Sequence, residues 1–127
     1  MIHLALTTGE PAGIGPEISV KAAKLFLKNH TDVTIHLLGH RGLLDYSDEP
    51  RLLVEDHQLA KPVTPGTLDV LNAPYVLSLL NTAIEGCQSG AYHAMVTAPI
   101  HKGIINQSGL YFTGHTEYLA EQCGVPL

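Results

Sequence analysis

Residues 2–18 read IHLALTTGEPAGIGPEI, and the reading of this stretch decides the fold. Ile2 to Thr7 is a short apolar run with no room for a helical stripe, so it reads as a buried strand. It ends in a Gly/Pro loop, residues 8–15, and Pro16 stands where a helix begins, with Glu17 in the first turn. Ile18, Ala22, Leu25 and Phe26 follow at helical spacing. Val33 to Leu38, closed by Gly39, is a second strand. Strand, helix, strand over this distance implies a right-handed crossover and a parallel pair.

The pattern continues outward. Arg41 to Tyr46 reads as a short helix and Arg51 to Glu55 as a strand. Residues 61–72 carry Pro62, Pro65 and Gly66 and read as a surface excursion. Pro74 opens the clearest helix, with Val76, Leu79, Leu80, Ala83, Ile84 and Cys87 on one stripe and Gly90 just past its end. Ala94 to Thr97 is a buried strand broken by Pro99. His101 to Asn106 turns briefly helical. Leu110 to Phe112 could extend, and Thr116 to Cys123 is a last helix stopped by Gly124. The fold class is therefore α/β, a mainly parallel sheet with flanking helices.

Composition excludes several functions. The chain has 127 residues, 45% hydrophobic and 15% charged, with a net charge of −5. That is one domain's worth of ordinary globular sequence without the basic face that nucleic acid requires. The seven Lys and Arg are scattered, so no polybasic membrane patch forms, and the N-terminus is neither a signal peptide nor a membrane span. Cys87 and Cys123 form no C-x-x-C pair, which favours a reducing, cytoplasmic setting. Each ends an apolar helical pattern and is expected to be a small core residue rather than a reactive thiol.

Ligands of open α/β sheets gather beyond the carboxyl ends of the strands. Three loops follow strands here: residues 8–15, 98–103 and, if Leu110 to Phe112 is extended, 112–116. The first, TTGEPAGIGPE, fails the dinucleotide fingerprint because Ile18 occupies the third glycine position, and it lacks the Gly-Lys-Ser/Thr of a phosphate loop. It reads as a tight turn or as a phosphate cradle. The second, TAPIHKG, places Lys102 on a turn, either to meet a phosphate or carboxylate as a point charge or simply to be solvated. The third, FTGHTEYLA, offers Thr113 or Thr116 as a helix cap, with Glu117 in the first turn. There His115 either packs or joins an anion site. Eight histidines invite a metal hypothesis, but none stands at zinc-like spacing with a carboxylate, and the strand pattern keeps His36 and His40 off a shared helical face. No metal site is expected within this chain.

Taken in series, TTGEPAGIGPEI, TAPIHKG and FTGHTEYLAE resemble the 4-hydroxythreonine-4-phosphate dehydrogenases of vitamin B6 biosynthesis, across essentially the whole chain. The resemblance implies an isocitrate/isopropylmalate-dehydrogenase-like fold. It implies oxidation of the C3 hydroxyl of 4-phosphooxy-L-threonine by NAD or NADP, then decarboxylation to 3-amino-2-oxopropyl phosphate. A divalent metal (Zn, Mg or Co) would hold the substrate oxygens as a Lewis acid. The expected assembly is a cytoplasmic homodimer with the active site between subunits.

Carried over residue by residue, the resemblance makes His115 and Thr116 the substrate contacts. Gly114 would permit close approach, Lys102 would support the site, and Gly9, Gly13 and Gly15 would shape the cleft. The family's metal-binding histidines lie downstream of its Gly-His-Thr motif. The chain is thus expected to be a truncated N-terminal part, residues 1–127, of a two-domain dehydrogenase, without metal ligands of its own and inactive alone. Two alternatives stay open: a related dehydrogenase of another phosphorylated hydroxy acid, and a non-catalytic module that binds a phosphometabolite.

Overall fold

The computed structural model describes residues 1–46 and 49–126. Its strands are β1 (Ile2–Thr7), β2 (Val33–Gly39), β3 (Leu52–Asp56) and β4 (Ala94–Thr97). Its helices are α1 (Gly15–Asn29), α2 (Ala73–Ser89), α3 (Lys102–Gln107) and α4 (His115–Cys123). The sheet has the order β3-β2-β1-β4 and every pairing is parallel. Leu4 stands beside both Ile35 and Ala94, which fixes the register across β2, β1 and β4.

Side chains alternate between the two faces of the sheet, and over β1 and β2 helix α1 packs on one face and α2 on the other. On one face Val20, Ala23 and Leu27 of α1 pack with Val33, Ile35, Leu37 and Leu52. On the other, Val76, Leu79, Leu80 and Ala83 of α2 pack with Ala5, Leu38, Ile105 and Phe112. The α2 stripe is thus the one its sequence spacing predicts. Tyr75, also buried on α2, accepts a hydrogen bond from the His40 amide at 2.7 Å and ties α2 to the end of β2. Gly90 ends α2 with φ 86°, a left-handed conformation that glycine adopts without steric cost.

Five local expectations are corrected. Ala94–Thr97 forms its strand, but at the sheet edge none of its residues is fully buried. Arg41 to Tyr46 forms only a single 3-10 turn, Arg41–Leu43. Leu110 to Phe112 joins no strand, because the Asn106 amide pairs with both the N–H and the C=O of Phe112, at 2.8 and 2.9 Å. The α1 residues Ile18, Leu25 and Phe26 face outward, while Val20, Ala23 and Leu27 meet the sheet. Cys123 is exposed and Cys87 only half-buried, so neither is a core residue; α4 has no fully buried side chain to carry its last turn inward.

The excursion of residues 61–72 is tethered at its end. Buried Asn72 accepts from the amides of Ala60 and Lys61 through its side chain, both at 3.0 Å. No helix among the described residues is long and apolar enough to cross a membrane.

Candidate functional site

The loop after β4 and the turn that opens α4 meet. Together they make a cleft of about 440 Å³ lined by Pro99, Ile100, Lys102 and the run from Thr113 to Glu117. Two of the three sequence loops are therefore brought together. The first loop is not part of the lining. It stands behind it: Gly9 lies so close to the second loop that a Cβ there would sit 2.2 Å from the Pro99 oxygen, and its φ is +76°. The Glu10 amide donates to that same oxygen at 3.0 Å. Gly15 packs equally tightly, on the Thr8 carbonyl, whereas a Cβ at Gly13 would meet only ordinary contacts, the nearest 3.5 Å away.

His115 is the first residue of α4, and neither threonine caps the helix. The cap position is Gly114, in extended backbone with φ 161°. This corrects the expected capping role of Thr113 or Thr116: the helix starts one residue earlier, so Thr116 lies inside the first turn and its hydroxyl is not consumed by the cap. A Cβ at Gly114 would approach only the Glu117 carboxylate, at 2.7 Å. That group is the movable end of a flexible side chain, so nothing in the backbone itself demands glycine there.

Buried Phe112 anchors this turn, and its ring meets His115 edge-on at 6.4 Å between centroids. The Tyr118 hydroxyl pairs with Asn81 on α2, and its ring lies 5.5 Å from Phe112. Sequence reading missed Asn106 and Phe112. The signal that could have found them is local: the run Leu110, Tyr111 and Phe112 just after a short helix that ends in Asn-Gln.

The electrostatics single out His115. Its Nε2 is buried without a hydrogen-bond partner among the described residues, a state that costs about 1–3 kcal/mol. Burial pushes its pKa below the ordinary histidine range, so the ring is neutral at neutral pH. Whichever tautomer it holds, it can give or take one hydrogen bond. Lys102 is exposed at the start of α3, and no ion pair involves it among the described residues. His101 precedes it and caps α3, accepting from the Ile104 amide at 3.0 Å. The cleft thus offers a mobile ammonium, a desolvated neutral imidazole and two hydroxyls: a set suited to a phosphate or carboxylate on one side and an alcohol on the other.

Glu10 behind the cleft is also perturbed. Burial raises its carboxyl pKa, against the opposing influence of the Ala12 amide, which donates to Oε1 at 3.0 Å, and of His101. A carboxyl whose folded pKa is raised contributes most to stability when protonated, below its unfolded value. That contribution is lost as pH rises through the folded value. Glu10→Gln keeps the acceptor oxygen and removes the charge. The variant is therefore expected to melt above wild type at neutral pH, with the difference closing as pH falls through the carboxylate range. Superimposable melting temperature–pH curves would show that Glu10 carries no such burden.

The remaining histidines do not converge on the cleft. His3 Nδ1 and His36 Nε2 lie 2.9 Å apart, His36 Nδ1 reaches Glu55 at 3.2 Å, and all three stand on the α2 side of the sheet. His40 and His57 sit beyond β2. Among the described residues no three His, Cys, Asp or Glu side chains are grouped to hold a metal ion. Cleft residues His115 and Glu117 alone do not make a metal cradle.

The comparisons with known proteins converge on one group. Residues 17–126 match the family described as pyridoxal phosphate biosynthetic protein PdxA. A curated relative from Burkholderia vietnamiensis, named 4-hydroxythreonine-4-phosphate dehydrogenase, is 45% identical across 98% of this chain, which spans 42% of that relative. The crystal structure of 4-hydroxythreonine-4-phosphate dehydrogenase from Klebsiella pneumoniae superposes with a TM-score of 0.81 at 27% identity, over 95% of this chain and 44% of that one. A terephthalate 1,2-cis-dihydrodiol dehydrogenase from Burkholderia xenovorans LB400 superposes with a TM-score of 0.77 at 26% identity, over 98% and 41%. The chain thus spans less than half the length of each of these relatives.

Proposed function

The chain belongs to the pyridoxal phosphate biosynthetic protein PdxA family, and from that premise we propose that it forms the phosphate- and hydroxyl-binding side of a 4-hydroxythreonine-4-phosphate dehydrogenase. The observation that carries this reading is the convergence of Lys102, His115 and Thr116 on one cleft. Lys102 supplies a charge that follows the substrate phosphate on a flexible stem. His115 lines the cleft, and a turn of its ring that brings the buried, unpaired Nε2 to a substrate oxygen favours binding by relieving the orphaned nitrogen. Thr116 and the amides opening α4 add donors for an anionic group. Gly114 leaves the approach open, and Gly9, Gly13 and Gly15 belong to the loop that supports the cleft from behind.

The reaction is oxidation of the C3 hydroxyl of 4-phosphooxy-L-threonine, followed by loss of CO₂ to give 3-amino-2-oxopropyl phosphate. In this reading NAD or NADP, when bound, would accept the hydride, and a divalent metal such as Zn, Mg or Co would supply Lewis-acid chemistry at the substrate oxygens. No residue of this chain is assigned to hold either. The reading extends to a cytoplasmic homodimer whose residues 1–127 are the N-terminal part of a two-domain subunit. A second reading, an oxidoreductase acting on another diol or hydroxy acid, is favoured by the likeness to the terephthalate dihydrodiol dehydrogenase.

Isothermal titration of the chain with 4-phosphooxy-L-threonine tests both readings. Wild type is expected to bind, and Lys102→Ala and His115→Ala each to weaken binding about tenfold or more, the loss of one charge-assisted or buried hydrogen bond. A non-phosphorylated cis-dihydrodiol that binds as well as the phosphate ester would favour the second reading. Absence of binding, or equal affinity in all three proteins, would overturn the assignment of this cleft.

A further inference from the structure

The cleft holds one group that a phosphate site does not explain. Glu117 lines it together with Lys102, His115 and two threonines. No ion pair holds its carboxylate among the described residues. The side chain is exposed, yet it folds back over the helix mouth: Oε2 lies 2.7 Å from the place a Cβ on Gly114 would take. With His115 neutral, Lys102 and Glu117 give the cleft one positive and one negative charge. A site built only for phosphate gains from the first and loses from the second, because like charges at close quarters repel.

Glu117 is the third residue of α4. A carboxylate there favours the helix dipole and can accept the amide of the cap residue. Glutamine caps in the same way, so capping does not account for the charge. The dipole does call for charge, but it acts on the helix and not on a ligand. The two charges of the cleft stand on separate elements, Lys102 at the start of α3 and Glu117 in the first turn of α4, and so can engage different ends of one molecule. 4-Phosphooxy-L-threonine is such a molecule. It carries its phosphate at one end and an α-carboxylate with an α-ammonium at the other. Lys102 serves the phosphate, which leaves the ammonium in need of an acceptor, since a cation taken from water without one is costly. The neutral diol of the second reading presents no cation and would set only hydroxyls against Glu117.

Resting on the phosphate-ester reading of this cleft, we propose that Glu117 accepts the α-ammonium of the substrate and thereby selects phosphorylated amino acids over phosphorylated hydroxy acids of the same length. The ammonium donates a charge-assisted hydrogen bond to the carboxylate. A hydroxyl on the same carbon donates a neutral one, which is about half as strong. Selection is the difference between the two affinities.

Isothermal titration at neutral pH tests this with two ligands: 4-phosphooxy-L-threonine and its 2-hydroxy analogue, in which a hydroxyl replaces the ammonium. Wild type is expected to bind the amino acid about tenfold more tightly, the scale of one charge-assisted hydrogen bond. Glu117→Gln keeps the size of the side chain and its capping ability. It is expected to weaken the amino acid alone and so to make the two affinities comparable. Any cost to the helix dipole shows instead in the melting temperature and falls on both ligands alike. Lys102→Ala is the matched control: both ligands carry the phosphate, so both should weaken and their ratio should stay that of wild type. An unchanged ratio in Glu117→Gln, or an equal loss for both ligands, would overturn the role of Glu117 and leave the cleft assignment standing. A wild-type chain that binds neither ligand would overturn the cleft assignment and this proposal with it.

Discussion

Phe112→Ala is expected to destabilise the chain by about 3–5 kcal/mol, the usual cost of removing a fully packed aromatic ring. Phe112 is 2% exposed and is among the largest fully buried side chains. It closes the cluster formed by α2 and α3, and Tyr118 of α4 packs against its ring. The surroundings have little freedom to collapse into the space, because Asn106 fixes the backbone of residue 112 on both its polar groups. Against a total stability of about 5–15 kcal/mol for a domain, such a loss leaves a protein near its unfolding threshold. Urea denaturation checks it: the midpoint should fall sharply with the slope unchanged. A loss below about 1 kcal/mol would mean that the ring does not anchor α4. The same substitution removes the edge-on neighbour of His115, so ligand binding should weaken even in cold, low-denaturant buffer where the variant stays folded.

Gly9→Ala is the second large effect. Two independent penalties fall on this residue. Its φ of +76° lies in the left-handed region, which costs an ordinary L-residue about 1–2 kcal/mol. The added Cβ would also sit 2.2 Å from the Pro99 oxygen. A backbone carbonyl cannot swing aside as a side chain would, so the two loops must part. Parting them stretches the hydrogen bond from the Glu10 amide to Pro99. The expected destabilisation exceeds about 2 kcal/mol, with Pro99 and Lys102 displaced at the cleft. Gly13→Ala is the matched control: its φ is not positive and its Cβ would find only ordinary contacts, so its effect should stay within about 0.5 kcal/mol. Equal thermal stabilities of the two alanine variants would refute the buttress role of Gly9.

The site was only partly legible in the sequence. By residue type alone Lys102 and His115 left solvation and packing as open as binding; the family resemblance singled out Lys102, Gly114, His115 and Thr116, and the fold brings them to one cleft. That the loop of residues 8–15 stands behind the cleft was not readable, since it depends on the distance between two backbones far apart in the chain. The cap of α4 was misjudged for a related reason. Threonine is a good cap by local propensity, but burial of Phe112 and its pinning by Asn106 set where the helix starts, and tertiary packing overrides a preference worth about 1 kcal/mol.

What the sequence determined by itself is the alternation of strand and helix, the parallel sheet, the α2 stripe and the two loops that bear the polar groups. Each of these follows from short-range periodicity or from a glycine or proline whose backbone allows few conformations. Only the tertiary structure decided which of the two apolar stripes on α1 meets the sheet. A helix records its faces in its own spacing. The choice between two apolar faces depends on strand order, crossover hand and the elements present to cover the second, and none of these is written in the helix itself.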